Sequence, residues 1–173
     1  MTPFDFDRID GVVFDLDGTL PDNMQLHAAA FERFVERHGL RPWTPELRVQ
    51  LEGRRTRAIL PVVLERALSD EENRPIAREE ELISRELPGA VAFLDLLETR
   101  GIPYGIATSA PEANVEHSLR ELGLRKRFRV IRRSDEVSRG KPAPDGFLAA
   151  AEGRESAPAR ALAFEDTPAG IDS

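Results

Sequence analysis

The chain contains no cysteine and almost no lysine. Without cysteine there are no disulfides, no thiolate catalysis and no cysteine-ligated zinc. Of 24 cationic residues, only Lys126 and Lys141 are lysine. Where a cation needs only to be solvated, this chain uses arginine. A lysine kept against that bias marks a place suited to a compact point charge rather than a planar fork. No apolar run is long enough to span a bilayer. The acidic segment 1–10 lacks the apolar stretch of a signal peptide. The expectation is a soluble, cytoplasmic protein with no membrane partner. A basic excess is also missing: the net charge of −7 argues against nucleic acid as a general partner. Internal repeats and low-complexity segments are absent, and nothing in the pattern fixes an oligomeric state. A length of 173 residues suits one core domain, or a core with a small insertion.

What the chain does have is concentrated near its start. Gly11-Val12-Val13 leads directly into Phe14-Asp15-Leu16-Asp17-Gly18-Thr19-Leu20. Two carboxylates therefore stand at the end of a buried strand, followed by a glycine turn and a hydroxyl. Two carboxylates one residue apart can share a metal and divide labour, one attacking an electrophile while the other moves protons. The plain alternative is a strand running into an acidic turn. Asp-Gly favours turns by itself, but a turn accounts for Gly18 and not for Asp15.

Periodicity predicts a helix over 24–38, through Leu26, Ala29, Ala30, Phe34 and Val35, ended by Gly39. Thr44-Pro45 has the form of an N-cap with proline at the first helical position. A helical pattern resumes over 56–68, Ser69 to Glu72 resembles a capping box, and Pro75 opens a helix predicted to reach Leu87. Residues 22–88 thus read as helical and strand-free. After Pro88-Gly89 the pattern alternates. Helices are predicted over 91–100, 111–122 and 145–152, and strands over 104–108, 128–131 and 161–165. Alternation of this kind means a parallel α/β sheet with crossover helices, interrupted after its first strand by the helical block.

In such sheets the ligand site lies beyond the carboxyl ends of the strands. There the chain places Asp15 and Asp17, then Thr108-Ser109, then Lys141-Pro142-Ala143-Pro144-Asp145, then Phe164-Glu165-Asp166-Thr167. Each alone has a bland reading as a cap, an ordinary loop or a complement to a helix dipole. In this order they resemble the four motifs of the haloacid dehalogenase superfamily, with Lys141 to Asp145 and Phe164 to Ile171 closest to the subgroup of β-phosphoglucomutase, phosphoglycolate phosphatase and sugar-phosphate phosphatases. The resemblance covers essentially the whole chain and is poor for the substrate. It implies a Rossmann-like core, 1–21 and 89–173, and a mobile helical C1-type cap, 22–88, hinged near Asp22 and Asn23. It further implies Mg²⁺ bound by the Asp15 side chain, the Asp17 carbonyl and Asp166, with Glu165 holding its waters or binding directly. Lys141, the Thr108 hydroxyl and the Ser109 N–H would meet the phosphoryl oxygens. Asp15 would form an aspartyl-phosphate and Asp17 would move protons. His27, on the first cap helix, either assists proton transfer or is an ordinary helix residue. Arg54 or Arg55, in the basic turn Gly53 to Arg57, either contacts an anionic leaving group or is simply solvated.

Three functions remain open on these residues. The first is Mg²⁺-dependent hydrolysis of a small phosphorylated metabolite, a sugar phosphate being the expectation. The second is a sugar phosphomutase, disfavoured because Glu112, just after the second motif, would repel a second phosphate. The third arises because Ser173 closely follows Asp166, where the family continues with a fifth core strand. On that reading the chain is C-terminally truncated and is an inactive fragment or a module completed by a partner.

Overall fold

The structure is a computed structural model that describes residues 5–37, 39, 44–66, 85–153 and 157–173. Its centre is the apolar run that precedes the first acidic motif. That run forms strand β1 (Gly11–Phe14), buried along its whole length. It pairs in parallel with β2 (Tyr104–Thr108) on one side and β4 (Ala161–Phe164) on the other. β2 in turn pairs in parallel with β3 (Ile131–Arg133). The sheet order among the described residues is β3-β2-β1-β4. Chain order reverses direction at β1, so β1 sits at the switch point where open sheets hold ligands.

Alternation along β1 builds two hydrophobic layers. Val12 and Phe14 point into the larger one, with Leu94 and Leu97 of α4 (Ala90–Thr99) and Val115 and Leu119 of α5 (Glu112–Glu121). Phe14 stacks on Phe164 at 5.3 Å between ring centroids, and Phe93 meets Phe164 edge-on at 5.2 Å. Val13 points to the other face, against Ala107 and the small residues Ala150 and Ala151 of α6 (Asp145–Glu152). Burying each large apolar side chain contributes on the order of 1.5–3 kcal/mol, and this places the ends of β1, β2 and β4 side by side.

Between β1 and α4 lie α1 (Met24–Arg37), α2 (Pro45–Leu51) and α3 (Thr56–Val63). The Thr44 side chain accepts a hydrogen bond from Leu47 N–H at 3.3 Å, the cap that Thr44-Pro45 predicts. The capping-box residues 69–72 and most of the helix predicted from Pro75 lie outside the described residues. Its predicted end does not hold. Glu86 forms an antiparallel bridge with Pro21, Asp22 N–H donates to Arg85 O at 2.8 Å, and Leu87 N–H donates to Leu20 O at 2.8 Å. The two chain passages between sheet and helical block therefore run side by side as a short extended neck.

The third strand is also displaced from its prediction. Phe128 is buried against the core, edge-on to Tyr104 at 5.2 Å, and the pairing residues are Ile131–Arg133. The largely apolar segment Phe128 to Ile131 looks like a strand, but Phe128 fills the core from the loop before β3. The half-buried strand tolerates Arg133 because its guanidinium is paired with Glu136 at 2.9 Å. A short α7 (Pro168–Ile171) follows β4, capped by the Thr167 side chain. No helix among the described residues is long and apolar enough to cross a membrane.

Candidate active site

The first motif is aimed by the residue between its two acids. Leu16 is fully buried in the main core, which turns Asp15 and Asp17 toward the opposite side. Asp15 is itself buried, at 5% exposure. Its Oδ1 accepts a hydrogen bond from Lys141 Nζ at 2.5 Å, and the same amine donates to Glu165 Oε2 at 2.5 Å. Lys141 thus bridges the end of β1 and the loop after β4. The other Glu165 oxygen accepts from the Thr167 N–H at 3.0 Å and hydroxyl at 2.6 Å, so both oxygens of that carboxylate are engaged.

Asp166 is brought in by a glycine. Gly18 adopts φ +77°, and a Cβ there would lie 2.0 Å from Asp166 Oδ2. Only glycine allows both the left-handed turn and that approach. Carboxylate oxygens of Asp15, Glu165 and Asp166 lie within 4.8 Å of one another.

Burial, and after it the crowding of like charges, shows in the pKa values. Burial, reinforced by the Glu165 and Asp17 charges, pushes Asp15 up to about 7 despite the Lys141 ammonium. Partial burial and the Glu165 charge push Asp166 up to about 6. Lys141 is raised: burial alone would lower it, and the Asp15 and Glu165 charges outweigh that. Asp17 moves the other way. Burial would raise it, but hydrogen bonding and charge from His27, then the Asn23 amide, hold its carboxyl below the usual range.

Those contacts turn Asp17 toward the helical block. Asn23 Nδ2 donates to Asp17 Oδ1 at 2.6 Å, and His27 Nε2 lies 3.3 Å from the same oxygen. Asn23 also accepts from Gly18 N–H at 3.0 Å, which fixes the turn. The Asp17 side chain is accordingly outside the carboxylate cluster.

On the β2 side, the buried Thr108 hydroxyl oxygen accepts from Ala110 N–H at 3.0 Å, so its own proton remains available to a ligand. Ser109 uses its hydroxyl to donate to Gly53 O at 2.7 Å, tying the sheet end to the helical block. One cavity brings together Asp15, Asp17, His27, Arg54, Thr108, Ser109 and Lys141. Arg55 does not line it and packs against the core instead. Glu112 is also elsewhere: it sits on the exposed first turn of α5, 3.5 Å from Arg133, while Asn114 faces the cavity. The expected repulsion of a second phosphate by Glu112 is therefore corrected, because its helix position turns it to Arg133. Asn23, Arg48 and Asn114 are the site-lining or site-orienting residues that motif reading did not single out for chemistry. Arg48 pairs one helical turn on with Glu52 at 3.5 Å, a spacing visible in the sequence but common on any solvated helix.

Residues 12–173 match the family model described as haloacid dehalogenase-like hydrolase. The chain belongs to that family. It is 30% identical to the phosphorylated carbohydrates phosphatase of Thermotoga maritima, over 95% of this chain and 80% of the relative. It is also 30% identical to the fructose-1-phosphate phosphatase of Escherichia coli K12, over 97% of this chain and 92% of the relative. The fold superposes on the crystal structure of a β-phosphoglucomutase from Clostridium difficile with a TM-score of 0.81, at 26% identity, covering 95% of this chain and 79% of that one. The haloacid dehalogenase-like core predicted from the motifs is the fold observed.

Proposed function

We propose that this chain, a phosphoric monoester hydrolase of the haloacid dehalogenase-like family, hydrolyses a small sugar phosphate with Asp15 as nucleophile. The observation that carries the reading is the Lys141 amine bridging Asp15 and Glu165 at the wall of a cavity that also holds Thr108 and Asp17. The known substrates of the two phosphatase relatives support the sugar phosphate class.

The carboxylate cluster fits a magnesium ion. Its donors are all oxygen and they converge. Burial together with the Glu165 charge raises the pKa of Asp15 and Asp166, a penalty on the ionised forms that a cation would relieve. Asp15 and Asp166 would hold the ion, with the Asp17 carbonyl completing the set and Glu165 acting on its waters while anchoring Lys141. When bound, the ion supplies charge neutralisation between a carboxylate and a phosphate dianion. Asp15, whose ionised form Lys141 favours and a bound cation would favour further, attacks phosphorus in line and carries the phosphoryl group. Thr108 and the Ser109 N–H donate to the phosphoryl oxygens, and Lys141 balances their charge. Asp17 protonates the leaving oxygen and then takes a proton from the attacking water. Asn23 and His27 hold its carboxylate on the side of the leaving group. Residues 22–88 act as the cap that excludes water, with Arg54 on its cavity wall.

The test is phosphate release across sugar phosphates, phosphoglycolate and an aryl phosphate, with and without EDTA. Chelator-sensitive release is expected, highest on a sugar phosphate. Release indifferent to EDTA would rule out the ion. The likeness to a solved β-phosphoglucomutase favours one second reading, a sugar phosphomutase. It requires isomerised sugar phosphate and activation by a bisphosphate, where the hydrolase gives free phosphate.

A further inference from the structure

The turn between α2 and α3 touches the core at three loops of the active site. Gly53 accepts from the Ser109 hydroxyl and lies flat on Thr167, where a Cβ would come within 2.2 Å of the Thr167 Oγ1. Two residues on, Arg55 is buried at 7% exposure. Its Nη2 donates to Val137 O at 3.2 Å, a contact spanning 82 residues of sequence. Its Nε packs onto Gly140, where a Cβ would approach to 2.2 Å. The next residue in the chain is Lys141.

Stability does not explain this contact. A buried guanidinium costs desolvation, and here Nε has no hydrogen-bond partner. An apolar side chain of similar length would fill the space without that cost. What the contact does is geometric. It holds the Val137–Gly140 backbone against the tip of the helical block, and so fixes the root of Lys141. That amine has to meet Asp15 and Glu165 together, and small displacements of a catalytic group are costly.

We propose that Arg55 is a positioning residue that couples the seating of the helical block to the placement of Lys141. This rests on the phosphatase reading of the site. With the block seated, Arg55 braces Val137–Gly140 and Lys141 is set on Asp15. With the block lifted, Arg55 is hydrated and that segment loses its brace. The adjacent arginines point apart: exposed Arg54 lines the cavity, and buried Arg55 faces the core.

The experiment compares wild type, Arg55→Met, Arg55→Lys and Arg54→Met as full chains. It reads steady-state kinetics on an aryl phosphate, melting temperature, and hydrogen exchange of the 138–141 amides. For Arg55→Met the expectation is a fall in kcat of about 10–100-fold with a smaller change in KM. The melting temperature should move by no more than about 4 °C, and exchange over 138–141 should speed up about tenfold. Arg55→Lys should recover part of each effect, and Arg54→Met should leave exchange over 138–141 at the wild-type rate. Unchanged exchange and kcat in Arg55→Met would overturn the proposal. So would a fall in melting temperature large enough to account for the lost activity. Exchange needs no turnover, so a wild-type chain that releases no phosphate would defeat the reaction reading while the coupling is still decided.

Discussion

The Asp17 carboxylate lies 3.3 Å from His27 Nε2, across the junction between the sheet and the helical block. The contact links the second acid of the first motif to the first helix of the helical block, and on the proposed mechanism it links the proton-moving residue to the cap. Because His27 favours the ionised form of Asp17, its removal has a defined sign. In His27→Ala, Asp17 loses that support and titrates at higher pH, so the limb of the kcat profile that Asp17 sets should move to higher pH. An unmoved limb would separate His27 from proton transfer.

Gly18 should be intolerant of any side chain. Alanine there must adopt φ +77° with its Cβ 2.0 Å from Asp166 Oδ2. The expected cost is about 1–3 kcal/mol of stability from the backbone alone. Magnesium affinity should drop by about tenfold or more, because Asp166 is displaced from Asp15. Calorimetric titration checks it, and wild-type affinity in Gly18→Ala would remove Asp166 from the ion's ligand set.

The metal-free protein should lose stability as pH rises. Burial and neighbouring carboxylates push the pKa of Asp15 and Asp166 in the folded state up to about 7 and about 6, above the ordinary value of 3.8. Between roughly pH 4 and 7 the folded state therefore binds more protons than the unfolded one, and unfolding free energy declines with pH across that window. Magnesium competes with the same protons, so its affinity should climb from pH 5 to 7.5 and then level off. Thermal melts with EDTA and with excess Mg²⁺ should diverge most above pH 7. Equal stabilisation at pH 5 and 8 would count against an ion at these carboxylates.

Asn23→Ala should damage both the turn at Gly18 and the placement of the Asp17 carboxylate. The substitution leaves Gly18 N–H without its side-chain acceptor and removes the 2.6 Å hydrogen bond to Asp17. About 1–3 kcal/mol of stability should be lost, with kcat reduced by about tenfold or more. Asn23→Asp should be worse for turnover, because it sets a second carboxylate against Asp17. Denaturant melts alongside kinetics distinguish the two effects.

The parts of the site carried by strand ends were legible, because each is bounded by an apolar run and a turn. Asp15, Thr108, Glu165 and Asp166 fall at such ends, Lys141 falls in the loop after β3, and the parallel sheet brings them together for the reason the alternation predicts. The contributions of the helical block were not legible in the same way. Asn23 reads as a helix cap, and its buried contacts to Asp17 and Gly18 depend on how the neck returns past Pro21. Arg54 and Arg55 are neighbours of one type, and only the docking of the turn onto Gly140 sends one to the cavity and the other to the core. Glu112 fell on the wrong side because a residue on the first turn of a helix can face in either direction, and Arg133 comes from a distant strand. Phe128 reads as part of a strand because apolar residues do not say whether they pair or simply fill.

The central claim is that Asp15 attacks phosphorus, and the most direct measurement is chemical trapping of the phosphorylated enzyme. Wild type mixed with a sugar phosphate and Mg²⁺, quenched in acid within a single turnover, should carry one hydroxylamine-labile phosphoryl group that maps to Asp15. Asp15→Asn should carry none, should retain its fold, and should lose about a thousandfold or more in turnover. Full turnover in Asp15→Asn, or a phosphoryl group on another residue, would contradict the account.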